Sequence, residues 1–403
     1  MERTAGIDLA SAEHRLVVVD AEGRRLEQRR VSHSEDGIAA LVRRLRELEV
    51  ARVALERPNG LVVDRLLDAG IAVVAVHPNQ LAAARDRYRS GGGKSDGFDA
   101  YVLAELARTD MHRLRVLCPD ADETRALKAL TRARDDLVNS RVALANQLRA
   151  QLDAFWPGAA AVFADIDSPI ALSFLERYPS PDDARALAEK RLTGFLARNG
   201  YSGRRSASEL LQRLRSAPQG RAGELETEAR RAVVLGLVAA LKPIVEQIKL
   251  LTSAIGGALD QHPDGTIFRS LFRDPKSVVT AAELTAEIGD QRDRYDSRAR
   301  LEARAGQSPV AIESGKKKVA SFRWACNKTL RDAVSCLADS SRKHNPWARK
   351  IYEEAIARGC DHPHAIRILG RAWLRIIWRL WHDRQPYDPT RHGNLNRLLA
   401  SGG

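Results

Sequence analysis

Gly91-Gly92-Gly93-Lys94-Ser95-Asp96-Gly97-Phe98-Asp99-Ala100 is the stretch on which the reading of the whole chain turns. A helix beginning at about Ser95 places Asp96 and Asp99 three residues apart on one face, so both carboxylates point at a single spot. Carboxylates that close repel each other unless a cation or a proton sits between them. The glycines leave backbone N–H groups open to phosphate, and Lys94 adds positive charge beside them. An N-cap followed by a first-turn acid would give the same pattern with no chemistry attached. What decides between the two readings, and the fold with them, is whether more carboxylates arrive from other elements.

Upstream of this stretch the residues alternate strand and helix. Ala5 to Ala10, Arg15 to Asp20 and Arg25 to Val31 read as three hairpin-connected strands, with Ala21-Glu22-Gly23 as a turn. Helices follow at Ser34 to Leu48, on an Ile38/Leu41/Leu45/Leu48 stripe, at Leu61 to Ala69 and at Asn79 to Arg89. Between them lie short strands at Arg52 to Leu55 and Ile71 to Val76. Three strands followed by β-α-β-α units describe a mixed sheet with helices on its faces, the order of a ribonuclease-H-like α/β domain. Asp8 falls in the middle of the first strand, among apolar neighbours where an unpartnered aspartate is costly. Glu56 ends the strand Val53-Ala54-Leu55, at the carboxyl edge where open sheets place their ligands. Four carboxylates from three elements supply what two divalent metals require: hard oxygen donors, negative charge and open positions for water and phosphate.

The chain has 403 residues, 44% hydrophobic, enough for two or three cores. Its net charge of +13 is concentrated, since Ser314 to Arg384 holds 16 Lys and Arg against 6 Asp and Glu. Concentration of this kind favours a nucleic-acid face over a general solubility charge. Cys118, Cys326, Cys336 and Cys360 form no Cys-x-x-Cys pair, which fits a reduced compartment. Cys360, His362, His364 and His344 lack a second ligand pair at finger-like spacing, so zinc is not expected. No signal-peptide pattern is present, and the longest apolar run, Ala232 to Leu241, is too short for a bilayer.

Gly6-Ile7-Asp8, Leu55-Glu56-Arg57-Pro58, His77-Pro78-Asn79 and Gly93-Lys94-Ser95-Asp96-Gly97-Phe98-Asp99-Ala100 together resemble the RuvC-like domain of the DEDD transposases of bacterial insertion sequences, relatives of the Piv-type DNA invertases. The resemblance continues in Ala286-Glu287-Ile288-Gly289-Asp290, Ala305-Gly306, Glu313-Ser314-Gly315 and Phe322 to Lys328. Family members carry a glycine-rich, phosphate-holding turn before the Ala-Glu-Ile-Gly-Asp motif. Here that place reads Phe272-Arg273-Asp274-Pro275-Lys276-Ser277, without glycines.

Between the motif regions the chain reads as helical. Leu127, Leu130, Leu137, Leu144 and Leu148 fit heptads within Asp122 to Leu152, interrupted by Arg134 and Arg141. Val234, Leu237, Leu241, Ile244, Ile248, Leu251 and Ile255 make a cleaner seam, with Pro243 inside it. This coiled coil suits either an antiparallel pair within the chain or a contact between subunits. Residues 153 to 227 read as a small helical insert, with a capping box at Ser206 and Glu209. The expected divisions are 1–117 (RuvC-like), 118–261 (coiled coil with insert), 262–385 (mainly helical C-terminal domain) and 386–403 (a loose tail).

From spacing alone Ser314, in a basic loop from Gln307 to Lys318, is an ordinary turn residue. The resemblance assigns it the covalent link to DNA, and with Lys316, Lys317 and Lys318 alongside the attacked strand would be neutralised. Trp324 to Leu337, Pro346 to Arg358 and His364 to Trp381 read as helices. On the last, Arg367, Arg371, Arg375 and Arg379 recur every fourth residue, as a phosphate-tracking ladder or as a solvated face. Arg323 and Lys328 complete the expected nucleic-acid contacts with Lys94.

The resemblance implies a transposase or site-specific recombinase in which Asp8, Glu56, Asp96 and Asp99 bind two Mg²⁺ ions, with Mn²⁺ as a substitute, while Ser314 attacks the scissile phosphate. It also implies DNA partners (element ends and target), a homodimer or homotetramer, a structured guide RNA in some members, and a cytoplasmic, nucleoid-associated enzyme with no membrane partner. Two other classes use the same residues differently: a RuvC-type nuclease or junction resolvase with water as nucleophile, and an inactive nucleic-acid-binding remnant.

Overall fold

The computed structural model describes residues 2–56, 59–88, 95–218, 220–314 and 317–401, excluding the side chains of 275, 313, 314, 317, 318 and 401. Two compact units divide it, Met1–Pro119 and Asp120–Gly403.

In the first unit β1 (Arg3–Asp8), β2 (Glu13–Val19) and β3 (Arg25–Ser32) precede α1 (Glu35–Glu47), β4 (Val50–Leu55), α2 (Leu61–Asp68), β5 (Ala72–Ala75), α3 (Pro78–Tyr88) and α4 (Asp96–Thr109). The sheet order is β3-β2-β1-β4-β5. Neighbours run antiparallel in β3-β2-β1 and parallel in β1-β4-β5, the mixed ribonuclease-H-like sheet expected from the sequence. One face buries Ala5, Ile7, Leu16, Val18, Val53 and Leu55 against Leu41 and Leu45 of α1 and Val62 and Leu66 of α2. Helix α1 starts where Ser34 accepts a hydrogen bond from the Gly37 amide, and its Ile38, Leu41 and Leu45 stripe turns inward.

The opposite face belongs to α4. Val17 and Val19 pack on Ala100 and Ala104, and the Thr4 hydroxyl donates to the Ala104 carbonyl at 3.1 Å. Contact is close at Gly6, where a Cβ would lie 2.0 Å from the Ala100 carbonyl oxygen and 2.5 Å from the Ala104 nitrogen. Only glycine lets the helix carrying Asp99 come this near β1. Asp8, placed mid-strand by the sequence reading, is instead the last residue of β1, because the paired segment starts two residues earlier, at Arg3.

In the second unit α5 (Asp122–Phe155) is followed by α6 (Pro157–Val162), α7 (Pro169–Arg177), α8 (Glu189–Arg198), α9 (Ala207–Ser216) and α10 (Glu224–Gln261). After these come α11 (Gly265–Arg269), α12 (Val278–Ile288), α13 (Arg298–Arg304), β6 (Val310–Ser314), β7 (Lys317–Ser321), α14 (Lys328–Ser341), α15 (Pro346–Ala357), α16 (His362–Asp383) and α17 (Gly393–Ser401). Helices α5 and α10 form an antiparallel pair within the chain. Thr124 bonds His262, Arg134 bonds Thr252 and Arg230 bonds Gln151, so position rises along one helix as it falls along the other. The helices α6 to α9 close over one end of this pair in a core with Leu148, Leu152, Phe174 and Leu241. Each such side chain contributes about 1.5–3 kcal/mol by leaving water. The capping box of Ser206 and Glu209 starts α9 as expected.

Three local expectations are corrected. The basic loop holding Ser314 is largely a hairpin, with Ser314 ending β6 opposite Lys317 in β7. The helix expected from Trp324 starts at Lys328, because Asn327 accepts from the Leu330 amide and caps it there. The stretch after Gln385, read as loose, instead carries α17, whose Leu395 is buried in the core containing Trp373 and Trp381.

Candidate active site

Register fixes where the first unit's acids stand. In the parallel pair of β1 and β4, Gly6 lies beside Ala54 and Ile7 beside Leu55, so Asp8 and Glu56 come next at the carboxyl ends of adjacent strands. Alternation puts both on the face covered by α4, since Ala5, Ile7 and Leu55 fill the opposite core. Asp99 approaches the same edge from α4, 3% exposed. The guanidinium of Arg85, from α3, holds it through both oxygens, Nε to Oδ1 at 2.6 Å and Nη2 to Oδ2 at 2.7 Å. Arg85 has its pKa raised, first by these bonds to Asp99 and further by the charges of Asp99, Glu56 and Asp8. Arg85 thus contacts Asp99 and feels the charges of Glu56 and Asp8 from two other elements.

Asp96 does not join them in the way an i, i+3 pair suggests. Ser95 caps α4 by accepting from the Phe98 amide, as the sequence reading has it. The first turn then leaves Asp96 exposed while Asp99 points inward. Asp96 lines a groove of about 880 Å³ together with Arg15, Arg25, Gln28, Arg29, Arg30, Tyr88 and Tyr101. Among the described residues no three His, Cys, Asp or Glu stand close enough to hold a metal ion in this arrangement. Lys94 lies outside the described residues.

In the second unit Ser314 is placed only by its backbone, at the end of β6. Lys317 and Lys318 sit on β7, while their side chains and all of Lys316 lie outside the described residues. Lys328 is exposed, and Arg323 donates to the Ser308 carbonyl. The ladder on α16 is largely engaged inside the unit. Arg371 and Arg375 both bond the carboxylate of Glu302, itself 2% exposed, at 2.7 and 3.1 Å. Arg379 pairs with Asp383, and Arg367 covers the Phe322 ring.

The Ala286-to-Asp290 motif works as a structural lock. Burial pushes the Glu287 carboxyl up, but bonds from Arg132 and Asn327 and the charge of Lys128 outweigh it and hold its pKa below the ordinary value. Asp290 accepts from the Ala121 amide and the Thr124 hydroxyl, tying the start of α5 to the end of α12. The place that lacks glycines, Phe272 to Ser277, ends in a single turn capped by Asp274.

Sequence reasoning missed Arg85, Arg15, Arg25, Gln28 and Arg30. For Arg25, Gln28 and Arg30 the signal was present in Arg24-Arg25-Leu26-Glu27-Gln28-Arg29-Arg30, an edge strand too polar to be covered on both faces.

Comparison with known proteins adds a second line. A family model described as "Transposase", of the DEDD type of IS110, matches residues 5–157, and one described as "Transposase IS116/IS110/IS902 family" matches residues 277–353. The "Mini-circle putative transposase for IS117" of Streptomyces coelicolor is 30% identical over 398 residues, spanning 96% of this chain and 95% of its own length. The 44.8 kDa protein of insertion element IS116 from Streptomyces clavuligerus is 28% identical over 391 residues, 96% of each chain. Among solved structures, Thermus thermophilus RuvC in complex with a Holliday junction substrate matches over 29% of this chain and 100% of its own, with 19% identity and a TM-score of 0.24.

Proposed function

The chain belongs to the IS116/IS110/IS902 family of transposases, and on that premise we propose that it cuts and rejoins DNA through an ester on Ser314, with Asp8, Glu56 and Asp99 as ligands of two divalent ions and Asp96, exposed on the groove at the start of α4, as the fourth acid that bound metal would draw in. As a transposase it is a DNA-binding phosphoryl-transfer enzyme. The donors of the first unit suit a hard cation, being carboxylate oxygens only, and Mg²⁺ with Mn²⁺ as a substitute is the proposed pair. When bound, such ions supply Lewis-acid polarisation of the scissile phosphate. The observation that carries this reading is the placement of Asp8 and Glu56 side by side at the carboxyl ends of β1 and β4, on the face from which α4 brings the buried Asp99.

The chain's own residues do the rest. Arg85 holds Asp99 in one orientation at the edge of the sheet. The Ser314 oxygen forms a P–O bond as the bond to the leaving strand breaks, and the leaving oxygen takes up a proton. One phosphate ester replaces another, so rejoining needs no nucleotide cofactor. Placement of Ser314 at the end of a hairpin strand, followed by lysines, supports its presentation to a DNA strand. The same reading extends to a dimer or tetramer and to a structured guide RNA.

Incubating the protein with end-labelled element DNA and Mg²⁺ tests this. A covalent protein–DNA adduct that is lost in Ser314→Ala is expected. Free cut ends from both proteins would make the enzyme a nuclease using water, and binding without cutting would make it a remnant.

A further inference from the structure

At the end of the sheet that carries the acids, antiparallel register continues the row. Asp8 faces Arg15 on β2, and Arg15 faces Arg30 on β3. Directly paired residues project from the same face, so Glu56, Asp8, Arg15 and Arg30 form one line across four strands, two acids followed by two arginines. Strands lie about 4.8 Å apart, which puts Arg30 roughly 10 Å from Asp8. One pair further along, Gln28 stands beside the first turn of α4, its amide nitrogen 2.7 Å from where a Cβ on Gly97 would lie. Beyond it the Arg25 guanidinium stacks on the Tyr101 ring, 4.4 Å from the centroid, and Tyr88 meets Tyr101 edge to face.

We propose that this groove between β3 and the first turn of α4 is the track for one DNA strand, whose backbone runs along Arg30 and Arg15 to the phosphate presented at Asp8 and Glu56. The proposal rests on the metal-dependent reading of those acids. Charge complementarity selects a polyanion, and the aromatic wall selects an unpaired strand. An arginine laid on a tyrosine beside further arginines is the mixture of stacking surface and positive charge on which single strands bind, whereas bases paired in a duplex cannot reach a ring. Arg15 and Arg30 are presently bridged by Glu13, at 3.3 and 3.7 Å. Glu13 is 42% exposed and Arg30 71%, and so open a pair is readily exchanged for phosphate.

The test is a fluorescence-anisotropy titration of the full-length protein with a short labelled single-stranded DNA of mixed sequence over a salt series, in wild type, Arg15→Ala/Arg30→Ala and the single variant Arg30→Glu. Each lost phosphate contact lowers the salt slope by about 0.7, so the double variant is expected to lose about 1.4 units of slope. Between 50 and 200 mM salt its affinity should then fall roughly sevenfold less than that of the parent. Arg30→Glu, at a side chain that packs on little, should weaken binding without changing the thermal melt. Cross-linking from 5-iodouracil DNA should label the peptide containing Tyr101. An unchanged slope in the double variant, or a loss confined to duplex DNA, overturns the proposal. Calorimetric Mn²⁺ uptake on the same variants keeps the two readings apart: a protein that takes up no metal yet shows the slope change retains the track and loses the metal chemistry.

Discussion

Replacing Gly6 by alanine adds a single methyl group at a place where the backbone of α4 meets β1. The new Cβ would meet the Ala100 carbonyl oxygen at 2.0 Å and the Ala104 nitrogen at 2.5 Å. Both are main-chain atoms, so no rotamer change relieves the clash. Opening the shorter distance to an ordinary 3.4 Å contact moves the helix back by about 1.4 Å. Overpacking against backbone costs about 3 kcal/mol, the upper end of the usual range. With a slope of about 2 kcal/mol per molar urea, the unfolding midpoint of the first unit falls by roughly 1.5 M, read from hydrogen exchange at the amides of β1 and α4. The displaced helix also carries Asp99 away from Asp8 and Glu56, so Mn²⁺ uptake by calorimetry weakens in step. Gly236 is the control: nothing lies within 4 Å of a Cβ there, and Gly236→Ala in the middle of α10 should stabilise by about 0.5–1 kcal/mol. A Gly6→Ala protein with the parent's urea midpoint and metal affinity would refute the claim that this contact sets the site.

Removing Arg85 leaves Asp99 buried without the guanidinium that holds it, so Arg85→Ala should melt earlier by about 3 kcal/mol of stability and recover much of the loss on adding Mn²⁺, both read in a thermal melt. Burial and the nearby Asp135 push the Glu283 carboxyl up to about 8. Because its folded pKa lies above the ordinary 4.5, its contribution is complete below pH 4.5 and is lost as pH rises to about 8; the second unit should therefore weaken across that window, and Glu283→Gln should flatten the profile. Glu302 is buried while Arg371 and Arg375 are 41% and 47% exposed, so the two halves of the cluster are unequal. Glu302→Gln frees two hydrated arginines and should cost about 1 kcal/mol, whereas Arg371→Ala/Arg375→Ala strands the carboxylate and should cost about 3 kcal/mol in urea unfolding.

The sheet was legible because its signals are local. Alternating apolar strands, a serine cap at Ser34 and another at Ser95 each speak within a few residues, and their order leaves one topology for the first unit. Glu56 was legible for the same reason, as the polar residue that ends an apolar strand. Arg85 was not, because a bidentate partner of Asp99 from another helix depends on how α3 and α4 pack, which spacing does not encode. The α16 ladder was legible only as a spacing for a related reason: a four-residue repeat of arginine fixes a face, while what that face meets, here Glu302 of α13, lies 73 residues away from Arg375 in sequence. Ser314 sits between these cases. Its motif is local, but the strands that carry it pair Val310 with Ser321 within a segment that composition reads as a basic loop.

Charge balance differs between the acids at the sheet edge of the first unit and the buried acids of the second. Glu287 faces Arg132 and Lys128, with Asn327 donating as well, and Glu302 faces Arg371 and Arg375. In each, one carboxylate meets two cations, the arrangement that makes a buried charge tolerable. Around Arg85 the arrangement differs: Asp99 holds the guanidinium through both oxygens, the charges of Glu56 and Asp8 also raise its pKa, and Arg15 stands beside Asp8 in register. Arg85 takes both oxygens of Asp99, so an ion that bound Asp99 would have to displace it or share an oxygen with it. Neighbouring carboxylates at the edge of a sheet repel one another and are favoured where further positive charge arrives. On the proposed reading that acidic edge is where a divalent ion would enter, whereas Glu287 and Glu302 are already paired within the second unit.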